Sequence, residues 1–319
     1  MTDFFKTPTD ALPMSLRVFR DEIKSRGYQA ATLNRGASSF LTVTRPDGKT
    51  FNLYSLTPPT TSYFAGCLAD DKLASFRVLK ALGAPVPETE LLALDPTDRH
   101  EQVSRLLKSA PRLVVKPLDG AHGRDVFMNL SSPEAVENIL PKDIVKPRLI
   151  QTQLSPRSPE LRVICIDYQF VAAFARIPAS VTGDGVHTVP ELIEIENSTL
   201  RTAPYKSNLA YIDQSLASDY VEKHHLTANV PAPGEKVQVI SICNVGCGGT
   251  IENMTNRLPD ATKRLSEKIA RAFELPVIGI DFLDEYVIEV NSSPSLHYPA
   301  PDESSTLCVK KFVDYLETL

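Results

Sequence analysis

VIGIDFLDEYVIEVNSSPSLHYP, residues 277–299, has the pattern of a β-hairpin with an acidic turn. Two strand-like runs, Val277–Leu283 and Val287–Val290, flank the turn. Because side chains alternate between the two faces of a strand, the apolar residues of both runs are expected on one face. The other face is expected to carry three polar residues: Asp281, Glu289 and Asn291.

The length of the turn determines whether the two carboxylates meet. A two-residue turn at Asp284–Glu285 would place Asp281 on the side of the apolar residues, whereas a three-residue loop, Asp284–Tyr286, would place it opposite Glu289. We predict the three-residue loop. The two carboxylates and the amide oxygen of Asn291 then form an all-oxygen ligand set suited to Mg²⁺. The alternative is a solvated face of an edge hairpin.

Composition indicates a globular protein with ample core. The 319 residues are 42% hydrophobic and 23% charged, which suits two or three subdomains and argues against disorder. The net charge is −5 and no dense basic block occurs, so we expect neither nucleic acid nor a membrane as partner. No apolar run reaches the roughly 18 residues of a membrane span. The start of the sequence lacks the pattern of a secretion signal, and we expect a cytoplasmic protein with five free cysteines.

Two lysines lie at the ends of predicted elements. Lys72 falls in the first turn of a helix predicted over Asp70–Leu82, and Lys116 ends a buried strand predicted over Arg112–Lys116. A lysine supplies a point charge for phosphate. Taken alone, Lys72 is better interpreted as a solvated surface charge.

A loop with two glycines, LDGAHGRD at residues 118–125, follows the second lysine. Gly120 and Gly123 would let backbone N–H groups approach an anion closely. His122 in the same loop could contact a substrate. The alternatives are an ordinary hairpin turn and an exposed loop histidine.

Two arginines lie on a predicted hairpin of apolar character. The strands are Leu161–Ile166 and Gln169–Arg176, and they carry Arg162 and Arg176. An unpaired charge in such a strand would destabilise the fold. These arginines therefore either pair with internal carboxylates or bind an anionic ligand.

This set of residues resembles the ATP-grasp superfamily, and longer motifs narrow the resemblance. VVKPLDGAHGRDV (114–126), LRVICIDYQFVAAFARIPASVTGDGVHTVPELI (161–193) and NVGCGGTIENMT (244–255) resemble the ATP-grasp part of cyanophycin synthetases. SSFLTVTRPDGKTFNLYSLTPPTTSYFAG (38–66) is similar to the glutathione-synthetase half of bifunctional glutathione-making enzymes. The resemblance implies an α+β, ATP-grasp fold. It would comprise an N-terminal α/β domain (1–65), a central subdomain (66–147) and a C-terminal subdomain (148–319) with the metal site, the last two sandwiching ATP.

The resemblance also implies roles for individual residues. Lys72 and Lys116 would hold the ATP phosphates, and two Mg²⁺ ions, with Mn²⁺ as an alternative, would bind Asp281, Glu289 and Asn291. Arg176 would steady an oxyanion, and Arg162 would lie near the substrate carboxylate or the metal-bound phosphate. The implied nucleotide contacts also include Gly120, His122, Gly123, Gln151, Gln153 and Leu154.

Some positions depart from the family pattern. Asp125 stands where the loop normally has glycine, and Gln151 stands where a glutamate is common. The segment QTQLSPRSPELR lacks the usual glycine before its last arginine. These three departures bear on the nucleotide geometry, and Asn253 in place of an aspartate bears on the amine substrate. The core lysines and metal ligands are all present.

The implied function is an ATP-dependent, ADP-forming carboxylate–amine ligase that makes a dipeptide or an amide from small amino-acid or peptide substrates. The alternatives are a glutathione synthetase, an ATP-grasp phosphotransferase and a non-catalytic nucleotide-binding scaffold. The oligomeric state is left open, with a homodimer as one expectation. Arginines near the presumed site indicate an anionic acid substrate, although two of them are equally well surface charges. These arginines are Arg124, Arg162, Arg176 and Arg257.

Overall fold

The computed structural model describes residues 2–7, 12–33, 40–118, 125–140, 146–155, 157–202, 211–241, 247–298 and 304–319. Its elements are helices packed on antiparallel sheets. None of the helices in these ranges has the length and apolar character needed to span a bilayer.

An antiparallel sheet of four strands, in the order β1-β2-β3-β4, forms the N-terminal unit. The turn at Pro46-Asp47-Gly48 joins β3 to β4 as an antiparallel hairpin. The elements are β1 (Thr2–Asp3), a 3₁₀ turn (Phe4–Lys6), α1 (Met14–Ser25), β2 (Gln29–Thr32), β3 (Phe40–Thr44) and β4 (Thr50–Tyr54).

The prediction of a helix over Asp70–Leu82 is wrong at its N-terminal boundary, because two helices meet at Asp71. α2 (Tyr63–Asp70) ends and α3 (Lys72–Ala81) begins on either side of Asp71. The Asp71 side chain accepts a hydrogen bond from the backbone N–H of Ala74 at 2.9 Å and so caps α3. Lys72 is therefore the first residue of a helix.

A second antiparallel sheet, in the order β5-β8-β6-β7, forms the central unit. Its Leu113, Val115 and Ile150 pack against the helices α4 and α5, so Lys116 and Gln151 lie on the opposite face of the sheet. The boundaries predicted at residues 65 and 147 stay predictions. The elements are β5 (Thr89–Leu91), α4 (Pro96–Leu106), β6 (Leu113–Pro117), β7 (Phe127–Leu130), α5 (Pro133–Ile139) and β8 (Arg148–Thr152).

The largest sheet has five antiparallel strands in the order β13-β10-β9-β14-β15, and β11 and β12 form a separate pair. The hairpin predicted around Asp167-Tyr168 is confirmed as β9 and β10. The elements are β9 (Glu160–Ile166), β10 (Gln169–Ile177), β11 (Ser180–Thr182), α6 (Val189–Thr202), α7 (Gln214–Lys223), β12 (Lys236–Gln238), β13 (Thr250–Asn253), α8 (Asp260–Ala272), β14 (Val277–Leu283), β15 (Tyr286–Asn291) and α9 (Ser304–Thr318).

Both faces of the five-stranded sheet are covered. Val163, Cys165 and Ile280 lie on one face, in a core shared with α2, α3 and α8. Ile164 and Phe174 lie on the other face, in a core shared with the N-terminal unit and α9. That second face becomes polar toward the start of β9, and this polar end carries the candidate site.

Helix α9 joins the N-terminal unit to the sheet. The rings of Phe19 on α1 and Phe312 on α9 are 5.8 Å apart between centroids. Arg26 forms ion pairs with Asp314 at 2.8 Å and with Glu317 at 3.0 Å. The N-terminal and C-terminal parts of the chain therefore share one hydrophobic core.

Candidate active site

The turn of the 277–299 hairpin is shorter than predicted. Leu283 pairs with Tyr286, which leaves a two-residue turn at Asp284–Glu285, so the predicted loop Asp284–Tyr286 is wrong. Asp284 takes a left-handed backbone conformation with φ of 52°, which tight hairpin turns require and aspartate tolerates.

The two carboxylates nevertheless meet, because the second strand contains a β-bulge. Phe282 pairs with Val287 while Asp281 pairs with Glu289, so Ile288 is an extra residue on β15. A bulge of one residue exchanges the faces of all residues beyond it. The bulge therefore brings Asp281 and Glu289 together where the turn alone would separate them.

Asp281 lies at the centre of the polar end of the sheet and is only 1% exposed. Arg162, on the neighbouring strand β9, donates hydrogen bonds to both carboxylate oxygens of Asp281. Its Nε donates to Oδ1, and its Nη2 donates to Oδ2 at 2.7 Å. Arg176 donates from Nη2 to the same Oδ2 at 2.8 Å. Burial raises the pKa of the Asp281 carboxyl, but the charges and hydrogen bonds of the two arginines outweigh it and hold that pKa below its ordinary value.

A second carboxylate completes this cluster. Glu160 faces Arg176 across β9 and β10, and its carboxylate accepts a hydrogen bond from Nη2 of Arg176. Two arginines and two carboxylates thus balance each other in charge. Of the two alternatives that the sequence left open for the strand arginines, the structure shows pairing with internal carboxylates.

The other two predicted metal ligands lie on β15. Glu289, whose side chain is 37% exposed, forms an ion pair with Lys72 at 3.4 Å. Asn291 carries a buried Nδ2 that has no hydrogen-bond partner among the described residues, and such a group normally has one. In the part of the chain that the structure describes, no group of three or more His, Cys, Asp or Glu side chains is arranged to hold a metal ion. A metal here would therefore bind two carboxylates and an amide, an all-oxygen set that fits Mg²⁺.

Lys116 lies on the central sheet. Its Nζ donates to Oε1 of Gln151 at 3.1 Å and stands 5.2 Å from the ring centroid of Phe76. The pKa of Lys116 is lowered to about 8 as the net result of burial, which lowers it most, the charge of Glu289, which raises it, and the charge of Lys72, which lowers it. The charges of Glu289 on β15 and Lys72 on α3 thus both act on Lys116 of the central sheet.

The remaining predicted nucleotide contacts have different positions. Gln153, just after β8, accepts a hydrogen bond from the backbone N–H of Asn129 on β7 at 2.6 Å, and the next residue, Leu154, is half-buried. Asp125 has a φ of 55°, the left-handed conformation that glycine adopts most readily. Gly120, His122, Gly123 and Arg124 lie outside the described residues. Arg257 is exposed and paired with Glu252.

Part of the chain, including the lysines and arginines of the site, is similar to a known family of domains. Residues 69–184 match the model of the RimK-like ATP-grasp domain. The chain contains a RimK-like ATP-grasp domain. The match includes both lysines and both arginines of the site, while the 277–299 hairpin follows it in the sequence.

The relatives extend the likeness beyond the RimK-like ATP-grasp domain. Cyanophycin synthetase of Nostoc sp. is 30% identical over 251 residues, which are 74% of this chain and 28% of that protein. The glutathione biosynthesis bifunctional protein GshAB of Listeria innocua is 23% identical over 337 aligned residues, covering 96% of this chain and 41% of that protein. The chain thus spans less than half the length of either relative.

A solved structure shows that the fold is the ATP-grasp fold. The bifunctional glutathione synthetase of Pasteurella multocida superposes with a TM-score of 0.69 at 21% sequence identity, covering 97% of this chain and 44% of that one. The predicted α+β fold is therefore confirmed, and so is the resemblance to both kinds of enzyme.

Sequence reasoning missed two residues of the site. Glu160 is two positions before Arg162 on the same strand, so the alternation of strand side chains could have placed it on the polar face. Gly279 pairs with Asn291, and a Cβ there would stand 2.8 Å from Cβ of Pro294 and 3.3 Å from Cδ of Arg162. No local pattern signals this close approach.

We expect Gly279→Ala to destabilise the protein by about 1–3 kcal/mol, because the added methyl group would force Pro294 and Arg162 apart. The free energy of unfolding in urea measures the effect. Gly66→Ala in α2 is the control: a Cβ there meets no atom within 4 Å, and alanine favours a helix. Equal effects of the two substitutions would contradict the close packing at Gly279.

Proposed function

We propose that this protein is an ATP-dependent, ADP-forming ligase that joins a carboxylate to an amine. The observation that carries the proposal is the position of Lys116 beside α3: its Nζ stands 5.2 Å from the ring centroid of Phe76 on that helix, whose first residue, Lys72, pairs with Glu289 of β15 at 3.4 Å. One lysine from each side, together with the oxygen ligand set on the hairpin of β14 and β15, suits a nucleoside triphosphate with its metal ions. The RimK-like ATP-grasp domain supports this reading.

The reaction would take place in two steps. A substrate carboxylate oxygen attacks the γ-phosphorus of ATP, and the bond to the bridging oxygen of ADP breaks. The amine nitrogen then attacks the carbonyl carbon of the resulting acyl phosphate, inorganic phosphate leaves, and the nitrogen loses a proton. Mg²⁺, when bound, would supply charge neutralisation on the phosphate oxygens. Two Mg²⁺ ions are the expected complement, with Mn²⁺ as an alternative.

The residues of this chain would position the reactants and stabilise charge. Lys72 and Lys116 would offset the repulsion between the substrate carboxylate and the phosphates. Arg162 already directs two donors at Asp281, so it would orient that metal ligand. Arg176 has a buried Nε–H without a partner among the described residues, and this donor suits the developing oxyanion.

The favoured product is a dipeptide or an amide, and glutathione is the second candidate. The alignment with the Listeria GshAB protein covers 96% of this chain and so includes the N-terminal unit, whereas the cyanophycin synthetase alignment covers 74%. This coverage supports glutathione synthesis, while the higher identity supports the cyanophycin type. Small amino-acid or peptide substrates fit both. The cytoplasmic location and the homodimer stay predictions.

Product analysis tests the proposal. Purified protein is incubated with Mg-ATP and pairs of amino acids or short peptides, and ADP, phosphate and the condensed product are measured. ADP release that requires both acid and amine, together with a hydroxamate when hydroxylamine replaces the amine, supports a ligase. A phosphorylated product formed without an amine would indicate a phosphotransferase instead. Tripeptide from γ-glutamylcysteine and glycine would favour the glutathione candidate.

The pKa of Lys116 gives nucleotide binding an expected pH dependence. Burial lowers this pKa to about 8, so the amine is charged at lower pH and becomes neutral at higher pH. Since phosphate attracts the charged form, affinity for ADP should be constant below pH 8 and should weaken by up to about tenfold per pH unit above it. Calorimetric titration between pH 7 and pH 10 measures this. Lys116→Arg stays charged and should show no such decline; an identical decline in the variant would contradict the assignment.

A further inference from the structure

Arg176 is shared between two carboxylates through a single nitrogen. Its Nη2 donates both to Glu160 and to Oδ2 of Asp281, the latter at 2.8 Å. The side chains of Arg176 and Glu160 are each only 18% exposed, so little water screens the pair. The position of Arg176 therefore depends on Glu160 as well as on the metal ligand.

The charges around Asp281 make this sharing consequential. Arg162 and Arg176 place two positive charges on a single carboxylate in a buried site. A divalent cation would have to bind a carboxylate whose single negative charge is already outweighed by two positive charges. Electrostatic repulsion between positive charges in a buried site is strong. Glu160 supplies a second negative charge within the ion-paired cluster of Arg162, Arg176 and Asp281. It makes the cluster neutral and draws part of the Arg176 charge away from Asp281.

We infer that Glu160 is a positioning residue that sets the affinity of Asp281 for a divalent cation by holding Arg176. This inference rests on the proposed function, because it takes Asp281 as a metal ligand of the nucleotide site. It assigns no contact between Glu160 and the nucleotide or the metal. Without the negative charge of Glu160, the guanidinium of Arg176 would rest on Asp281 alone and the cluster would gain one positive charge.

The predicted signature of this role is a pair of effects in opposite directions. In Glu160→Gln, binding of Mn²⁺ in the presence of ADP should weaken on the order of 10–100-fold, as for other partners of metal ligands. Binding of ADP alone, with EDTA present, should stay equal or become tighter, because the site is more positive. A merely structural role of Glu160 would weaken both. Electron paramagnetic resonance measures free Mn²⁺, and calorimetry measures ADP binding.

Two further variants separate charge from packing. Glu160→Asp keeps the charge and should recover most of the Mn²⁺ affinity that glutamine loses. Glu137→Gln is the matched control: Glu137 also pairs with a buried arginine, Arg99 at 2.6 Å, but on α5, which packs on the opposite face of the central sheet from Lys116. This control should change neither Mn²⁺ nor ADP binding.

The outcomes distinguish the inference from the proposed function. Metal-dependent nucleotide binding in the unmodified protein, with weaker Mn²⁺ binding and equal or tighter ADP binding in Glu160→Gln, supports both. The same binding with a Glu160→Gln protein that resembles Glu137→Gln, or that loses metal and ADP alike, would overturn the inference and leave the proposed function standing. An unmodified protein that binds neither Mg-ADP nor Mn-ADP would overturn the proposed function and the inference with it.

Discussion

Asp281→Asn is expected to remove turnover and to weaken the fold at the same time. The loss of a metal ligand should lower kcat on the order of 10³-fold, comparable with the loss of a strong electrostatic contact to the transition state. The same change leaves the charges of Arg162 and Arg176 without their central carboxylate in a site that is 1% exposed. Breaking a buried pair in this way typically destabilises a protein by about 3–5 kcal/mol. ADP release and urea unfolding measure the two effects.

Glu289→Gln is expected to separate the loss of turnover from the loss of stability. Its side chain is 37% exposed and its ion pair with Lys72 spans 3.4 Å, so the free energy of unfolding should change by less than about 1 kcal/mol. Turnover should still fall with a loss comparable to that of Asp281→Asn, because a second metal ligand is lost. Normal turnover in the Glu289→Gln protein would show that Glu289 is not a metal ligand. An Asp281→Asn protein of unchanged stability would contradict the charge balance described for the cluster.

Lys116→Met should weaken ADP and ATP binding by about 10–100-fold, because hydrogen bonds to a charged group contribute about 1.5–3 kcal/mol. The free energy of unfolding should not decrease. Burial already disfavours the charged form of Lys116, whose pKa is lowered to about 8, and methionine carries no charge. Lys116→Arg should also weaken binding, because a planar fork does not reproduce the point charge that contacts Gln151 at 3.1 Å.

The control for Lys116 is an exposed lysine elsewhere in the central unit. Lys108 follows α4 and is exposed, so Lys108→Met should leave nucleotide binding unchanged. Calorimetric titration compares the three variants. If Lys116→Met bound nucleotide as tightly as Lys108→Met, Lys116 would be a structural residue of the central sheet.

The sequence predicts those parts of the site that depend on local pattern. The alternation of side chains indicated Asp281, Glu289 and Asn291 as candidate metal ligands, and lysines at element ends indicated Lys72 and Lys116 as candidate phosphate contacts; these roles stay predictions. These predictions depend on one strand or one helix at a time, where neighbours in the chain determine the geometry.

The parts that the sequence did not predict depend on contacts between distant residues. The extra residue Ile288 compensates for a two-residue turn, and an ordinary apolar residue gives no sign that it forms a bulge. The choice of Asp281 as the partner of Arg162 depends on how β9 and β14 pair, 119 residues apart in the sequence. The helix break at Asp71 was detectable in principle, because an aspartate before a lysine is a typical helix cap.

The shared core of the N-terminal unit and α9 has a consequence for synthesis on the ribosome. Arg26 and its partner Asp314 are 288 residues apart, so α1 leaves the ribosome long before the helix that covers it. At about 5–20 residues per second, roughly 15–60 s pass between the two events. During that time the apolar side chains of α1 that pack on α9, such as Phe19 against Phe312, remain uncovered, so this core can close only after α9 has been made.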